Sequence, residues 1–213
     1  MRTDDLITGL ALDLPPTRRG RLELRLLMFM LAASAAVMMA VLWWLGLRPD
    51  LAAAVAGPTF WAKAAYTVAL CGTGFWLLDR LGRPGRSARG PLVLLALILG
   101  VAASWAAIEL ATAAPVDRIG MIMGVSARVC PTNILILGAL TAPFIFFAAR
   151  RFAPVRPGAA GAAAGLLSAG LAATVYGLYC SEYAAAFVAV WYTLGIALAV
   201  GAGALIGKVA LRW

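Results

Sequence analysis

The chain has 213 residues, 63% of them hydrophobic and only 13% charged, with a net charge of +9 and a mean hydropathy of +0.92. This composition excludes an ordinary soluble domain, in which about a quarter of the residues are charged, and predicts an integral membrane protein with room for about six spans of roughly 20 residues. The positive charge lies in short arginine-rich segments between apolar runs, so it indicates membrane topology and argues against a nucleic-acid partner.

The first 25 residues form a polar segment with a short helical pattern. Thr3 can cap a helix whose first turn carries Asp4 and Asp5, which suits the helix dipole. Apolar residues then recur at helical spacing until a Pro-Pro pair: Leu6, Ile7, Leu10, Ala11 and Leu14. No cleavage site of a secretory signal follows, so we expect the segment to be retained. It is either a helix lying on the lipid surface or a docking site for a soluble partner.

Six apolar runs follow, each long enough to cross a bilayer. We predict spans over Leu26–Leu47, Phe60–Leu78, Pro91–Leu110, Cys130–Ala149, Gly158–Tyr179 and Ala184–Ile206. The predicted fold is an all-α integral membrane protein, a compact bundle of six transmembrane helices without a soluble domain. Residues 26–213 would form the membrane domain, and residues 1–25 the N-terminal segment.

The basic residues outside the spans predict the orientation of the bundle. Fourteen of them lie in the N-terminal segment, in the loops after the second and fourth spans, and in the C-terminal tail. Only Arg48, Arg118 and Arg128 fall on the other side. The positive-inside rule therefore predicts that both termini and the two arginine-rich loops are cytoplasmic.

Histidine is absent from the sequence, which contains three cysteines. Histidine-based acid-base catalysis and histidine-ligated metal sites are therefore excluded. Any chemistry has to come from the thiols and from a few charged groups.

Two of the cysteines lie at the same end of the predicted bundle. Cys130 opens the fourth span and Cys180 closes the fifth, so antiparallel packing places both at the outer boundary. Arg128 and the start of the helix could lower the pKa of Cys130 and favour its thiolate. The pair could be a reversible disulfide, a two-thiolate trap for a soft metal ion or a structural bridge, and the residues alone leave these open. Cys71 lies near the middle of the second span, where a thiol is usually a small packing residue.

Two charged residues lie inside predicted spans. Lys63 is one turn into the second span and Glu109 is in the last turn of the third, so antiparallel packing brings both to the outer half of the bilayer. Charges at this depth are costly unless they are paired. We therefore expect a salt bridge between Lys63 and Glu109, which would be either a structural clamp or a functional site.

Small residues recur at helical spacing in the last two spans. Gly161 with Gly165, and Gly203 with Gly207, form two GxxxG motifs. Such motifs let helices approach closely, and we interpret them as packing within the bundle in preference to a dimer interface.

These features, in this order, resemble one known family. They are MRTDDLI at the start, LGLRPDL at 45–51, then Pro58, Phe60 and Lys63, RPG at 83–85, Cys130, AP at 153–154, AG at 160–161, Y...C.E....F...WY at 176–192, and the terminal LRW. Together they resemble the NrsF family of bacterial membrane anti-sigma factors. The resemblance spans nearly the whole chain.

The resemblance implies a multi-pass protein of the bacterial inner membrane with no enzymatic activity. Such a protein holds an extracytoplasmic-function (ECF) sigma factor inactive on the cytoplasmic side and releases it under heavy-metal or oxidative stress. The two outward-facing cysteines of the family match Cys130 and Cys180, whereas Cys71 matches nothing in the pattern. No resident cofactor is implied beyond a transient heavy-metal ion at the cysteine pair, and no direct contact with nucleic acid.

The resemblance also requires a sigma-binding surface on a chain without a soluble domain. The candidates are residues 1–21, the loops at 79–90 and 150–157, and the C-terminal tail. The N-terminal segment is the candidate that we favour, because its acidic start and apolar face could occupy a helix-binding groove on the partner. The residues concerned are Asp4, Asp5, Leu6, Ile7 and Leu10.

Two other classes of membrane protein remain as alternatives. A membrane thiol oxidoreductase usually carries a CxxC redox centre, which this sequence lacks. A small transporter would place polar groups near the midplane of the bilayer, whereas Lys63 and Glu109 lie toward one edge. The sequence therefore favours an anti-sigma factor over both.

Overall fold

The protein is all-helical in the residues that its computed structural model describes, which are 3–12, 20–83, 85–152 and 154–212. The helices are α1 (Thr3–Leu12), α2 (Gly20–Ala40), α3 (Leu51–Val55), α4 (Pro58–Leu81), α5 (Arg89–Thr112), α6 (Arg118–Met123), α7 (Val129–Ala149), α8 (Pro157–Tyr176), α9 (Ala185–Phe187) and α10 (Thr193–Ala210). A π-helical segment, Val41–Leu45, continues α2, and a second one, Val188–Tyr192, joins α9 to α10.

Five helical segments in these ranges are long and apolar enough to cross a membrane. They are Glu23–Leu45, Arg89–Thr112, Val129–Ala149, Pro157–Tyr176 and Ala185–Ala210, and they correspond to the first, third, fourth, fifth and sixth predicted spans. The helix α4 lies where the second span was expected and has 24 residues, but it carries Lys63, Asp79 and Arg80, which reduce its hydropathy. The helical membrane class is thus supported, while the second span, the total of six spans and the orientation stay predictions.

Apolar side chains are distributed as in a bundle that is surrounded by lipid. The helix α8 lies at the centre, packed against α4, α7 and α10, and nearly all of its residues are buried. The helix α5 lies at the edge and exposes large apolar side chains, among them Leu97, Val101, Trp105 and Ile108. Exposed apolar surface of this extent indicates contact with a membrane or with another protein.

The two GxxxG motifs meet where α8 crosses α10. A Cβ atom added to Gly161 would lie 2.2 Å from the carbonyl oxygen of Gly203, and one added to Gly207 would lie 2.6 Å from the Cα atom of Gly161. The backbones therefore touch, and only glycine permits this approach. The interpretation of the motifs as packing within the bundle is confirmed.

This contact gives a stability prediction with a matched control on the same helix. We expect Gly203→Leu to lower the stability of the detergent-solubilised protein by about 3 kcal/mol or more, the upper end of the usual cost of overpacking, because its Cβ would lie 2.5 Å from the carbonyl oxygen of Gly161. Gly201→Leu should change stability little, since a Cβ atom added to Gly201 would meet no other atom within 4 Å. Size-exclusion chromatography after heating measures both. Equal losses for the two variants would contradict the packing interpretation.

A charged cluster joins the start of α2 to the end of α4 at the other end of the bundle from Cys130. The Nη2 atom of Arg83 lies 2.6 Å from Glu23 Oε1 on α2 and 2.6 Å from Asp79 Oδ1 on α4. Arg86 adds a longer contact of 3.7 Å to Asp79. Because α1 precedes Glu23 in the chain, the cluster anchors the helix from which the N-terminal segment extends.

Candidate functional site

Cys130 and Cys180 lie side by side at one end of the bundle. Cys130 is in the first turn of α7, and Cys180 is in the turn that follows α8. The three cysteines, all within the described ranges, are free thiols. Among the neighbours of Cys180, the Cys130 side chain has the largest effect on the pKa of the Cys180 thiol, which it lowers. The structure thus brings together the two thiols that the sequence placed at one boundary.

The thiol pair is covered by other side chains, a feature that the sequence did not predict. Cys130 is 0% exposed and Cys180 is 3% exposed. The hydroxyl groups of Tyr176 and Tyr192 contact the sulfurs of Cys130 and Cys180 respectively, and the two tyrosine rings lie 6.0 Å apart. The aromatic residues between α8 and α10 therefore form the wall of an enclosed thiol pocket.

Lys63 is directed into the turn that contains Cys180. Its Nζ atom donates hydrogen bonds to the carbonyl oxygen of Cys180 at 2.7 Å and to that of Glu182 at 3.2 Å. The side chain is buried, and its charge lies 5.7 Å from the centre of the Tyr192 ring. This lysine of α4 thus supports the backbone of the turn below the thiol.

Glu109 has a different partner, so the predicted salt bridge with Lys63 is wrong. Its Oε2 atom accepts a hydrogen bond of 2.8 Å from the backbone N–H of Ala186, at the start of α9, and no ion pair joins it to Lys63 among the described residues. The segment after Cys180 supplies backbone groups to both side chains. Each charge is satisfied by this segment instead of by the other charge.

Glu182 connects the turn to the loop between α6 and α7. Its Oε1 atom accepts hydrogen bonds from the backbone N–H groups of Val125 and Ser126 at 2.9 and 3.0 Å and from the Ser126 hydroxyl at 2.8 Å. Gly124 has a φ of +51°, and a Cβ atom there would lie 2.6 Å from the Glu182 carboxylate. Glycine at this position therefore lets the loop approach the carboxylate.

Arg48 and Asp50, in the segment before α3, close the site together with Tyr183 of the turn after α8. The Arg48 guanidinium binds both carboxylate oxygens of Asp50 at 2.7 and 2.6 Å, and it also donates to the hydroxyl of Tyr183 and to the carbonyl oxygen of Cys180 at 3.5 Å. This ion pair lowers the pKa of the Asp50 carboxyl, mainly through the hydrogen bonds from Arg48. At neutral pH Arg48 and Asp50 are therefore oppositely charged, and this ion pair without net charge supports the turn.

The groups around Cys180 favour its thiolate form. The Cys130 side chain lowers the pKa of the Cys180 thiol, and the positive charge of Lys63 adds to this effect. The sequence alone predicts such an effect at Cys130, from Arg128. The cation that acts on both sulfurs is Lys63, so the charged neighbour is supplied by α4 and not by the start of α7.

The remaining predicted residues lie away from this pocket. Cys71 packs on α8, where a Cβ atom on Gly170 would lie 2.8 Å from the Cys71 backbone nitrogen, as expected for a structural residue. On α1, Asp4 and Asp5 are exposed. The side chains of Leu6, Ile7 and Leu10 lie outside the described residues, although the backbone there is helical.

Sequence reasoning misses part of the site. In the sequence Arg48 and Asp50 are parts of the LGLRPDL stretch of the family pattern, but nothing marks them as site residues. Ser126 does not stand out at all. For Glu182 a signal exists, because it lies two residues after Cys180 in the Y...C.E pattern. For Arg48 and Tyr183 no local pattern could reveal the contact, since 135 residues separate them.

The site offers few ligands for a metal ion. Among the described residues, no group of three or more histidine, cysteine, aspartate or glutamate side chains is close enough to hold one. Two sulfurs alone would fit a soft ion that accepts few ligands.

Comparison with known proteins gives matches over the whole chain. The sequence profile described as NrsF, negative regulator of sigma F, matches residues 10–213. The "Anti-sigma-F factor NrsF" of Caulobacter vibrioides (strain NA1000 / CB15N) is 40% identical over 215 residues, covering 100% of both chains. The "Probable anti-sigma-F factor NrsF" of Azospira oryzae (strain ATCC BAA-33 / DSM 13638 / PS) is 34% identical over 215 residues with the same coverage. No solved structure matches.

Proposed function

Because the chain belongs to the NrsF family of negative regulators of sigma F, we propose that it sequesters an ECF sigma factor at the cytoplasmic face of a bacterial inner membrane. It releases the factor when the bonding of Cys130 and Cys180 changes. The observation that carries this proposal is the pair of free, buried thiols at one end of the bundle. They lie at the end of α7 and α8 opposite to the arginine-rich loop between these helices. Family membership favours a regulator over an oxidoreductase or a transporter.

Oxidation of the pair is the first of the two triggers that we propose. The Cys180 sulfur, as an anion, attacks a peroxide oxygen, the O–O bond breaks, and the alcohol or water leaves after taking up a proton. The Cys180 sulfenic acid that results is then attacked by the sulfur of Cys130. The S–O bond breaks, and the hydroxide leaves as water with the Cys130 proton. The two sulfurs lose two electrons to the peroxide and form a disulfide.

A soft heavy-metal ion between the two sulfurs is the alternative trigger. It would bond to both sulfurs as thiolates and would release the protons of the two thiols. Both triggers act on the same two atoms, so substitution of either cysteine tests both. Adding a peroxide or a soft metal salt separately to intact cells distinguishes them.

The turn after α8 is built so that a change at Cys180 can spread. Polar contacts from three different elements hold it: Lys63 on α4, Arg48 before α3 and the loop that binds Glu182. A new bond at the Cys180 sulfur moves the backbone to which these groups are attached. We infer that the outer ends of α4, α7 and α8 shift together and that the cytoplasmic surface then loses its hold on the sigma factor.

The cytoplasmic surface that binds the partner includes α1. This helix exposes Asp4, Asp5 and Leu12, and the cluster of Arg83 with Glu23 and Asp79 anchors the helix that follows it. A movement of α4 would therefore reach α2 through Arg83. Co-purification of the full chain with its sigma factor, with and without the cluster, tests this surface directly.

The proposal depends on the orientation of the chain, which reporter fusions can measure. We expect alkaline phosphatase fused after Trp213 to be inactive and the same enzyme inserted near Val116 to be active, because the enzyme folds only outside the cytoplasm. The basis is the excess of basic residues at the other loops and termini. The opposite pattern would place the thiols in the cytoplasm and would overturn the proposed sensing of the exterior.

A further inference from the structure

Lys63 is a buried cation at the thiol pocket without a matched carboxylate. It is 6% exposed, and both acceptors of its Nζ atom are neutral carbonyl oxygens, those of Cys180 and Glu182. No ion pair includes it in the described part of the chain. Burial of an ammonium group without a counter-ion costs free energy of folding. We therefore expect Lys63 to have a function that offsets this cost.

The other charged groups at this end are already engaged. Arg48 donates to the same carbonyl oxygen of Cys180, but Asp50 binds its guanidinium at two points. Glu109 accepts from the start of α9, and the Glu182 carboxylate accepts from Val125 and Ser126. The anion that Lys63 can still gain is a sulfur, since both thiols lie within range of its charge.

We propose, on the basis of the function proposed above, that Lys63 is the positioning residue of the thiol reaction. Its ammonium orients the Cys180 backbone and stabilises the negative charge on the Cys180 sulfur when that sulfur attacks an oxidant. A nearby positive charge favours a thiolate over a thiol. After disulfide formation the sulfurs are neutral, so Lys63 loses its anionic partner and holds the turn less strongly. Lys63 thereby connects the chemical step to the movement of α4.

The test separates the charge of Lys63 from its hydrogen bonds. The full chain, with Cys71→Ser to leave one thiol pair, is placed in lipid nanodiscs, reduced, and exposed to hydrogen peroxide at pH 7, and loss of free thiols is followed by mass spectrometry. Lys63→Gln keeps amide N–H donors for the carbonyls but removes the charge. We expect it to slow disulfide formation by about 10- to 100-fold, as expected when one nearby opposite charge is lost. Lys63→Arg should stay within about threefold of the parent, by the same charge argument.

Arg128→Gln is the matched control, because it removes a cation close to Cys130 in the sequence that lies outside the thiol pocket. We expect it to leave the rate within about twofold, since exposed charges are screened. The proposal would be overturned if Lys63→Gln and Arg128→Gln slowed disulfide formation equally. It would also be overturned if Lys63→Arg did not keep the rate of the parent. If Lys63→Gln does not insert, Lys63→Arg against Lys63→Met gives the same comparison.

The outcome for Lys63 can be distinguished from that for the proposed function. A sigma-dependent reporter in cells tells whether the thiols control release, and the nanodisc rate tells whether Lys63 controls the thiols. Slow disulfide formation in Lys63→Gln supports the role of Lys63 even if substitution of the cysteines does not change reporter activity. A Lys63→Gln rate equal to that of the parent overturns it even if the reporter needs both cysteines.

Discussion

We expect serine at either Cys130 or Cys180 to abolish induction of sigma-dependent transcription, while repression in unstressed cells persists. Neither a disulfide nor a two-sulfur metal complex can form with one sulfur, so the ratio of stressed to unstressed reporter activity should fall to about one. Serine is close to cysteine in size and keeps a small polar group at either position. The unstressed fold, and with it the hold on the partner, should therefore survive.

Cys71→Ser is the control for this experiment. It replaces a thiol that packs on α8 at Gly170 and lies outside the pocket, so induction and repression should both stay close to those of the parent. Immunoblots of the membrane fraction show whether each variant inserts. If Cys130→Ser and Cys180→Ser insert normally and still release the sigma factor, the thiols are structural. The signal would then enter elsewhere, with Lys63 and Glu109 as the next positions to test.

The size of the response sets a requirement on the switch. Moving a two-state equilibrium from 1:99 to 99:1 takes a preference of about 10⁴, or about 5.5 kcal/mol, for one state. A weak contact at the protein surface cannot supply this amount. Covalent joining of two buried sulfurs can, because it directly changes contacts that fix the turn to α4 and to the loop before α7.

The sequence predicted the thiol pair because topology alone determines it. In an antiparallel pair of helices joined by a short loop, the first residue of one and the last residue of the other lie at the same end. Cys130 begins α7 and Cys180 follows α8, so the hydropathy pattern was enough to bring them together. The GxxxG contact between α8 and α10 was predictable for a similar reason, since glycine on one face has few uses other than close packing.

The partners of Lys63 and Glu109 could not be predicted from side chains. Both residues do lie near the thiol end, but the segment from Cys180 to Ala186 passes between them and offers backbone carbonyl and N–H groups. Backbone groups are present at every residue and leave no mark in a sequence. Pairing of opposite charges in the sequence therefore predicts a salt bridge between Lys63 and Glu109. In the fold, each of the two side chains is hydrogen-bonded to backbone groups instead.

Burial of the thiols also could not be predicted from the sequence. The position of Cys180 at the end of a span indicates the boundary of the bilayer but not what covers it. The cover consists of Tyr176 and Tyr192 from two helices that are adjacent only in the folded chain. The same holds for Arg48 and Asp50, which reach the turn from a segment more than 100 residues earlier.

We expect serine at Leu6, Ile7 and Leu10 together to release the sigma factor in unstressed cells while the protein stays in the membrane. Burial of each such side chain in an interface contributes about 1.5–3 kcal/mol, and each 1.4 kcal/mol is a tenfold change in affinity. Loss of all three should therefore raise reporter activity nearly to that of a strain that lacks this chain. Co-purification should show the loss of the partner directly.

The control for this triple variant lies on the same helix. Thr8 donates its hydroxyl to the carbonyl oxygen of Asp4 at 2.8 Å, so Thr8→Ser keeps that bond and should leave repression unchanged. Alanine at Asp4 and Asp5 should weaken repression less than the triple change, because exposed charges contribute less than buried apolar side chains. If the triple variant inserts at normal levels and still represses, α1 does not hold the sigma factor. The contact would then lie in the arginine-rich loops instead.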